Sequence, residues 1–401
     1  MKIAFFSCFL THHQTPLCLA FNELTKGEFV FVSTSPINQE RLGMGYEDLD
    51  SKYGFVLREY ENDEAKKKAM DIALKCDVMI IGSAPEVYMV ERLKKKKLTF
   101  LYSERWYKKG TPAIRFVRDF LSSIKHHGRY QHYHPYMLCA SAYTASDCAR
   151  FGNYLNRTYK WGYFPEVTKE NLSTLFEKKQ ANITPKILWV GRLIDWKHPE
   201  SCIFLADYLM RKRIEFQLEI IGNGVMEKDI EQSIANKNML QRVQMLGAMP
   251  PDAVREHMRC ADILIFTSDY NEGWGAVLNE AMNSGCAVVA SHAIGAVGFL
   301  MKNGENGIIY ENGNQNQLNE IVEELIANPE YRRQLGKAAY RTLEDEWNAD
   351  CAAERFLKLA AYLKDGNEGS PFTEGPCSIA YRMSNKKAQR QLMYSQRGEK
   401  K

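Results

Sequence analysis

Residues 263–282 have the sequence ILIFTSDYNEGWGAVLNEAM. The stretch opens with an apolar run, Ile263–Phe266, which predicts a strand that is buried on both faces. A polar loop follows, and the glycines Gly273 and Gly275 introduce a run that predicts a helix beginning around Gly275. A buried strand that passes through a short loop into a helix is typical of one βα unit of a parallel sheet.

The rest of the chain repeats this alternation of strand and helix. Short apolar runs predict further strands, and helix-length spacers separate them. In the N-terminal half the predicted strands are Ile3–Phe6, Phe29–Val32, Val78–Ile81, Leu98–Tyr102 and Tyr136–Cys139. In the C-terminal half they are Ile187–Val190, Leu218–Ile221, Val243–Leu246, Ile263–Phe266, Ala287–Ala290 and Ile308–Tyr310. The predicted fold class is therefore α/β, with two doubly wound, Rossmann-like parallel sheets.

The length of the chain, 401 residues, exceeds what one compact core usually supports, so two domains are expected. We place the boundary near Trp161–Pro165, because polar and charged residues dominate from there to Pro185. The predicted parts are an N-terminal domain, a C-terminal domain, a helix and a polar basic tail, over residues 1–163, 164–348, 349–365 and 366–401.

Composition indicates an ordinary soluble protein, with 45% hydrophobic and 25% charged residues. The net charge of +4 is too small to suggest a nucleic-acid partner. The N-terminal residues lack the pattern of a signal peptide. The uncharged stretch Gly285–Leu300 is too short to span a bilayer and is interrupted by Ser291, His292 and three glycines. Ten cysteines without a Cys-x-x-Cys pair predict reduced thiols in the cytoplasm and neither a zinc site nor a redox motif.

Charged residues follow the first predicted strand of the C-terminal half. Ligands of an open parallel sheet bind beyond the carboxyl ends of its strands, and the sequence GRLIDWK follows Val190 there. Arg192 and Lys197 in this loop could neutralise a diphosphate and stabilise it as a leaving group, or they could be solvated surface charges. After the next strand, the turn Gly222-Asn223-Gly224 permits close backbone approach to a ligand, although such turns are also common in loops.

The loop of the opening stretch adds two carboxylates. Glu272 precedes the segment Gly273-Trp274-Gly275-Ala276, whose backbone N–H groups at a helix N-terminus could bind an anion. Glu280 would lie about one turn into the helix, where its carboxylate could accept two hydrogen bonds from a vicinal diol such as a ribose. Taken alone, Glu280 is better explained as a capping or surface acid, but its arrangement with the cations and glycines favours a ligand-binding role.

These segments together resemble glycosyltransferase family 4, a family of retaining enzymes of GT-B fold. The stretch Thr267–Ala290, with Glu272 and Glu280 as Glu-x₇-Glu, is similar to the family's donor motif. Val190–Leu193 followed by Lys197 resembles its diphosphate clamp, and the sequence NGIIY at 306–310 resembles the segment that closes its nucleotide domain.

The resemblance implies two Rossmann-like domains facing a central cleft, with the acceptor on the first domain, the donor on the second, and the helix at 349–365 packed back on the first. It implies transfer of a hexose-like sugar from a nucleotide-diphosphate sugar to a glycan or lipid-linked acceptor, with retention of configuration and no metal or other cofactor. Assembly of a bacterial surface polysaccharide would be the setting. The implied catalytic residues are Arg192, Lys197 and Glu272. The implied donor-binding residues are Gly273, Trp274, Gly275, Ala276 and Glu280. Gly222, Asn223 and Gly224 are added as donor-binding candidates because their turn follows a predicted strand.

The sequence departs from the family pattern at several positions. Cys286 stands where proline is common, Gly298 stands where a glutamate is frequent, and the first strand ends without the usual pair of glycines. Acceptor contacts are therefore less defined. The candidates follow predicted strands and could otherwise be capping residues, packed residues or members of a structural ion pair; they are His12, His13, Gln14, Glu104 and Arg105.

Several alternatives remain open. Asp48-Leu49-Asp50 resembles the metal-binding Asp-x-Asp of the other large glycosyltransferase fold, but it follows no buried strand, so no metal is predicted. A dinucleotide-dependent oxidoreductase would need Gly-x-Gly-x-x-Gly after an early strand, and no glycine precedes Gly27. A GT-B-type sugar-nucleotide epimerase and a catalytically inactive donor-binding subunit are the remaining alternatives.

Two basic segments could attract an anionic membrane, namely Lys94–Lys97 and the tail, where residues 381–401 contain seven Lys or Arg and one Glu. Such segments are more often solvated faces. The sequence thus predicts a cytoplasmic protein that could contact the inner face of the membrane.

Overall fold

The computed structural model describes residues 1–37, 47–108, 113–180, 182–383 and 392. The chain forms two compact units. Unit 1 contains Met1–Glu166 and Glu346–Met383, and unit 2 contains Val167–Asp345. The unit boundaries lie close to residues 163 and 348, where the sequence analysis divides the domains.

Unit 1 contains a parallel sheet of seven strands. In chain order the strands are β1 (Ile3–Ser7), β2 (Phe29–Ser33), β3 (Val56–Arg58), β4 (Val78–Ile81), β5 (Thr99–Ser103), β6 (Tyr136–Cys139) and β7 (Thr158–Lys160). In space they follow the order β3-β2-β1-β4-β5-β6-β7. The described helices that connect them are α1 (Thr15–Leu24), α2 (Asp63–Lys75), α3 (Val87–Lys94), α4 (Ala113–His126) and α5 (Thr144–Ala149), with 3₁₀ turns at Glu59–Glu61 and Gly128–Tyr133.

Unit 2 contains a parallel sheet of six strands. They are β8 (Lys186–Val190), β9 (Gln217–Ile221), β10 (Val243–Gly247), β11 (Ile263–Phe266), β12 (Ala287–Ser291) and β13 (Ile308–Tyr310), in the spatial order β10-β9-β8-β11-β12-β13. The described helices are α6 (Leu172–Gln180), α7 (Glu200–Arg211), α8 (Glu227–Asn236), α9 (Pro251–Cys260), α10 (Val277–Asn283), α11 (Val297–Leu300), α12 (Gln315–Ala327) and α13 (Pro329–Asp345), with a 3₁₀ turn at Asp195–Lys197. Of the helices that the structure describes, none is long and apolar enough to cross a membrane.

Continuous apolar runs produce these parallel sheets because helices cover the central strands on both faces. Every residue of β1 and of β4 is buried, and so is every residue of β11 and β12. In the register of unit 1, Phe5 pairs with Phe31 on one side and Ile80 on the other. All the strands predicted from the sequence are confirmed, with ends that differ by one residue at most.

A last helix, α14 (Ala349–Lys364), belongs to unit 1. Phe356 in its centre packs against Phe21, Phe100 and Trp161, with ring centroids 5.4, 5.0 and 5.7 Å away. These three residues come from α1, β5 and the segment after β7, so α14 completes the core of the first unit.

Residues 366–383, which the sequence analysis assigns to a polar tail, are instead part of unit 1. Residues 377–380 run antiparallel to β7: Lys160 N–H donates to Ser378 O (2.7 Å), and Cys377 N–H donates to Lys160 O (2.8 Å). Cys377, Ser378 and Ala380 are buried. This segment covers the edge of β7, and an edge strand without a partner would expose its backbone groups. Of the basic segment at 381–401, only residues 381–383 and 392 are among the described residues.

Each sheet has one point where the strand order reverses, between β1 and β4 in unit 1 and between β8 and β11 in unit 2. Loops that follow the two strands at such a point leave the same edge of the sheet, and ligands of open parallel sheets bind there. In unit 2 these two loops are residues 191–199 and 267–276.

Candidate functional site

Hydrogen bonds join the loop after β8 to the loop after β11. The Trp189 indole N–H donates to Thr267 Oγ1 (2.9 Å), and the Thr267 hydroxyl lies 2.6 Å from Lys197 O. Asp269 N–H donates to Trp196 O (3.0 Å). Because Trp189 and Thr267 are buried, these contacts fix the position of both loops at the reversal point of the sheet.

The turn Gly222–Gly224 supports the loop after β8. Leu193 N–H donates to Asn223 O (2.8 Å). A Cβ on Gly222 would lie 1.8 Å from Gly191 O, and a Cβ on Gly224 would lie 2.4 Å from Leu193 O. The close approach that these glycines permit is thus to the neighbouring loop, whereas the sequence analysis expected an approach to a ligand. Asn223 itself is exposed.

Three predicted catalytic residues come together at this edge. Lys197 Nζ forms an ion pair with Glu272 Oε2, and the two side chains are only 12% and 11% exposed. Lys197 Nζ also lies 4.7 Å from the centroid of the Trp196 ring, and the guanidinium of Arg192 lies 6.0 Å from the same ring. Arg192 is exposed. The edge therefore holds one solvent-facing cation beside a largely buried pair of opposite charges.

The segment 273–276 presents backbone donors. Gly275 has φ +93°, and a Cβ there would lie 2.9 Å from the Phe266 ring. Within the described part of the chain, the N–H groups of Gly273, Gly275 and Ala276 donate no hydrogen bond to the protein. Buried N–H groups are normally paired, so this segment is suited to an anionic or carbonyl acceptor.

Trp274 contributes to this segment through its backbone alone. Its side chain is fully buried, and its indole N–H donates to Asn279 Oδ1 (2.8 Å). Trp274 O accepts from Ala296 N–H (3.0 Å). The side chain therefore anchors the segment to the core and does not face solvent.

Glu280 lies in the first turn of α10 and is half-buried. Burial raises the pKa of its carboxyl to about 7, and the positive charge of Arg255 opposes this shift. Among the described residues, no group donates a hydrogen bond to the Glu280 carboxylate. A desolvated carboxylate without donors is unfavourable in the free protein, and a diol that donates to both oxygens would relieve that cost.

Sequence reasoning missed a histidine that lies beside the cations. His198 Nδ1 lies 2.8 Å from Glu200 Oε1, and His198 Nε2 lies 3.7 Å from Asp269 Oδ2. The hydrogen bond to Glu200 raises the pKa of the imidazole, and the charge of Asp269 adds to that shift. His198 directly follows Lys197 in the loop after β8, so its place in that loop is a signal that could identify it.

A second histidine, His292, orients Tyr270. Asn312 N–H donates to His292 Nδ1 (3.0 Å), and His292 Nε2 lies 2.8 Å from the Tyr270 hydroxyl. Since Nδ1 is an acceptor and burial lowers the pKa of this imidazole, the ring is neutral and Nε2–H donates to Tyr270. Asn312 also lines a depression of about 450 Å³ formed by residues 311–316. His292 follows β12 directly, where the rule of strand ends could have found it.

Four predicted acceptor residues lie at the corresponding edge of unit 1. His12, His13 and Gln14 connect β1 to α1, and all three are half-buried. The rings of His12 and His13 are 3.7 Å apart, and the ring of Tyr163 lies parallel to His13 at 6.0 Å. The Tyr163 hydroxyl donates to Glu104 Oε1 (2.6 Å). Tyr163 therefore links His13 to Glu104.

Arg105, the fifth predicted acceptor residue, is not brought to this group. It is 5% exposed, its guanidinium lies over the Tyr143 ring at 4.6 Å, and Nε lies 4.0 Å from Asp147 Oδ2. Asp147 in turn accepts from Trp106 N–H (2.7 Å) and Tyr107 N–H (3.1 Å). Arg105 and Asp147 therefore form a structural ion pair, which is the alternative to an acceptor contact for Arg105.

Asp50 of the Asp-x-Asp sequence also has a structural role. Its carboxylate is buried and accepts from Leu10 N–H (2.9 Å) and from the Ser33 hydroxyl. These bonds fix the loop after β1. Among the described residues, no group of three or more His, Cys, Asp or Glu side chains is arranged to hold a metal ion.

Residues 173–342 match the sequence profile of the family described as Glycosyl transferases group 1. This segment is thus similar to group 1 glycosyltransferases, and we call it the group 1 domain. The group 1 domain contains every residue of the site in unit 2 that is described above.

Curated relatives agree with this assignment. The uncharacterized glycosyltransferase MJ1178 of Methanocaldococcus jannaschii is 36% identical over 150 residues, 37% of this chain and 40% of that protein. The alpha-D-kanosaminyltransferase of Streptomyces kanamyceticus is 27% identical over 172 residues, 43% of this chain and 44% of that protein. The chain thus spans less than half the length of these two relatives.

A solved structure, Anabaena Alr3699/HepE in complex with UDP, has a similar fold, with a TM-score of 0.65. The likeness covers 90% of this chain and all of that one at 16% identity. The predicted fold class, an α/β fold of GT-B type with two Rossmann-like parallel sheets, is confirmed.

Proposed function

We propose that this chain is a glycosyltransferase that moves a sugar from a nucleotide-diphosphate sugar to a glycan or lipid-linked acceptor, with retention of anomeric configuration. One observation carries the proposal, which is that four charged residues lie together in the group 1 domain, in the loops after β8 and β11 and in the first turn of α10. They are Arg192, the ion pair of Lys197 with Glu272, and Glu280, whose carboxylate accepts no hydrogen bond from the described residues. This is the edge where an open parallel sheet binds its ligand.

The donor binds through charge complementarity. Arg192 offers a planar fork of donors to the diphosphate, and Lys197 offers a point charge. The N–H groups of Gly273, Gly275 and Ala276 supplement them, since among the described residues they donate no hydrogen bond to the protein. Glu280 accepts hydrogen bonds from the ribose diol. HepE binds UDP, so a uridine nucleotide is the first donor to test.

The same cations promote departure of the diphosphate. When the bond between the anomeric carbon and the phosphate oxygen breaks, the electron pair remains on the diphosphate, and positive charge stabilises it. Arg192 and Lys197 supply that charge. His198 adds to it when its imidazole is protonated, and the hydrogen bond to Glu200 favours that form because it raises the pKa. The acceptor hydroxyl then attacks from the same face and passes its proton to the departing phosphate oxygen. Protein cations thus perform the role of a metal, and we propose a metal-independent reaction.

Glu272 keeps Lys197 in place before the donor arrives. Their ion pair is largely buried, and breaking such a pair leaves an uncompensated charge. A bound diphosphate gives Lys197 a second anionic partner and leaves Glu272 directed at the donor sugar. Removal of Glu272 should therefore affect catalysis through Lys197 as well as through the sugar.

The acceptor binds to unit 1, where His12, His13 and Glu104, connected through Tyr163, and the neighbouring Gln14 supply polar contacts at the sheet edge. Arg105 makes no contact with the acceptor in this proposal, and its role is to stabilise the structure around Asp147. We propose a cytoplasmic location, supported by the ten cysteines, all of which are free thiols.

Ligand binding followed by product analysis tests the proposal. Thermal shifts with UDP, GDP, ADP and their sugar conjugates should identify one nucleotide, with the same shift in EDTA and in Mg²⁺. A ligand at about 100 times its Kd adds about 2.7 kcal/mol of stability. NMR of the product should then show a new glycosidic bond with the donor's anomeric configuration. A sugar nucleotide epimerised without an acceptor would establish the epimerase instead, and binding without any turnover would establish an inactive subunit.

A further inference from the structure

Helix α4 in unit 1 exposes its apolar side chains. In an ordinary surface helix the apolar residues face the core and the polar residues face water. In α4 the exposed fractions are 93% for Ile114, 46% for Phe116, 66% for Val117, 40% for Phe120, 59% for Leu121 and 43% for Ile124. The positions recur at helical spacing, so these side chains form one continuous strip along the helix.

The polar side of α4 attaches it to the unit. Ser123 is 3% exposed, and its hydroxyl accepts a hydrogen bond from Asn153 Nδ2 (2.6 Å). The side chain of Asp119 is only 12% exposed, and its Oδ1 lies 3.2 Å from the guanidinium of Arg118 on the same helix, whose side chain remains 70% exposed. The C-terminal end of the helix is fixed by His126, whose Nδ1 lies 2.6 Å from Glu86 Oε1. These contacts on the opposite side hold the apolar strip outward. At its inner edge, Phe116 and Phe120 also pack against the Phe151 ring, with centroids 5.4 and 5.6 Å away.

Cations border the outer edge of the strip. Arg118 lies four residues after Ile114 and three before Leu121, and Lys125 lies four after Leu121, so all four side chains share one row of the helix. Both cations are exposed. Long cationic side chains in such a row can reach charged groups beyond the apolar surface while their stems lie along it.

We propose that this face of α4 docks on the surface of an anionic lipid bilayer, with the apolar strip in the boundary between headgroups and acyl chains. A helix with an apolar face and cations at its rim binds in the plane of a membrane. The positive charges of Arg118 and Lys125 disfavour two other partners for this face, the basic tail of the chain and a second copy of the chain. The tail at 381–401 has seven Lys or Arg and one Glu, so it would meet like charge. Two-fold pairing with a second copy would bring Arg118 and Lys125 near their own counterparts, and like charges opposed in this way are destabilising.

The surface differs from the basic segments noted in the sequence, because apolar contact and charge act together. It is also independent of the proposed reaction. A transferase that remains in solution would be active without it, and an inactive chain could still bind lipid.

Vesicle cosedimentation of the full chain tests the proposal. We expect binding to phosphatidylcholine vesicles that contain about 30 mol% phosphatidylglycerol, and weaker binding at about 0.5 M NaCl. The double variant Val117→Ser with Leu121→Ser should lower the partition coefficient at least about 10-fold. A matched control changes the same residue types on unit 2, Val225→Ser with Leu240→Ser, which are 86% and 70% exposed; it should bind as the wild type does.

Three results would overturn the proposal. The first is that the wild-type chain does not sediment with the anionic vesicles. The second is that the two double variants bind the vesicles equally. This includes the outcome in which neither variant loses binding and only truncation of the chain after residue 383 abolishes it. The third is a lipid-free dimer in sedimentation velocity that the α4 variant dissociates, since the strip would then be a self-association surface. Circular dichroism and thermal melts of both variants exclude unfolding as the cause.

Discussion

The buried carboxyl of Glu280 makes the stability of the folded chain depend on pH. Burial raises its pKa in the folded chain to about 7, above the ordinary value of 4.5. The folded state therefore holds this proton more tightly than the unfolded state does. The resulting contribution to stability is complete below about pH 4.5 and is lost as pH rises through 7.

Glu280→Gln removes this titration, so the variant should be more stable than the wild type at neutral and higher pH. The expected difference in free energy of unfolding is near zero at about pH 4.5 and grows to about 1–3 kcal/mol by about pH 8. Urea unfolding of both proteins across this range measures it. The exposed acid Glu231 provides the control, and Glu231→Gln should show no such growth. A pH-independent difference for Glu280→Gln would contradict the assignment.

The carboxylate of Glu280 should lower the stability of the free protein and strengthen its binding of the donor. In Glu280→Ala, donor affinity should fall about ten- to 150-fold, because hydrogen bonds to a charged acceptor are worth roughly 1.5–3 kcal/mol. Calorimetry with the nucleotide identified by the thermal-shift panel gives the Kd. If Glu280→Ala binds the donor with wild-type affinity, the carboxylate does not contact the ribose, whatever its effect on stability.

Arg192 should affect turnover and leave stability unchanged. Its guanidinium is exposed, so Arg192→Ala should alter the free energy of unfolding by less than about 0.5 kcal/mol. If Arg192 stabilises the leaving diphosphate, kcat should fall about 100-fold or more. Arg211→Ala is a matched control, because that side chain is 73% exposed and lies on α7. Equal kcat in the two variants would assign Arg192 to the solvated surface.

At the scale of elements, the contact between the turn 222–224 and the loop after β8 explains why glycine is needed there. Gly222 has φ +137°, and any Cβ would overlap Gly191 O. Gly222→Ala should lower the free energy of unfolding by at least about 2 kcal/mol, and it should weaken nucleotide binding by displacing the loop that carries Arg192. Gly366 separates the two causes, since it also has a positive φ (+84°) but open space around it.

Gly366→Ala should therefore cost only about 1 kcal/mol and leave binding intact. Chemical denaturation and nucleotide titration of both variants provide the comparison. Should Gly222→Ala retain wild-type nucleotide affinity, the turn would support the fold without positioning the site.

Ten of the eleven strands predicted from the sequence span four or five residues, and the exception is Ile308–Tyr310, which has three. The two missed strands, β3 and β7, have only three residues each and lie at the edges of the sheet. A run such as Thr158-Tyr159-Lys160 is too short and too polar to show a period. Its strand character comes from partners far away in sequence, β6 and residues 377–380.

The residues of the candidate site also fall into those that the sequence could predict and those that depend on distant contacts. Arg192, Lys197, Glu272 and Glu280 could be found because they follow strands directly or begin the next helix. The ion pair of Lys197 with Glu272, and the orientation of Tyr270 by His292, could not be found. They depend on contacts between loops that the sequence separates, and the burial of Arg105 against Asp147 depends on packing that no local pattern encodes.

At the scale of the whole molecule, the chain returns to unit 1 after completing unit 2. Glu346–Met383 belongs to the first unit, where Phe356 contacts Phe21, Phe100 and Trp161. Unit 1 therefore needs residues from both ends of the described chain, and its stability should depend on a segment that follows the group 1 domain in sequence.

Truncation tests this dependence. A chain that ends at residue 345 lacks α14 and the residues that cover β7, so it should expose the aromatic core of unit 1 and the unpaired edge of the sheet. We expect it to aggregate or to show a single melting transition from unit 2 alone. A chain that ends at residue 383 keeps both features and should melt as the full chain does. Calorimetry and size-exclusion chromatography of the two proteins give the answer. Two intact transitions in the shorter chain would mean that unit 1 folds without its returning segment, and the aromatic contacts of Phe356 would then be dispensable.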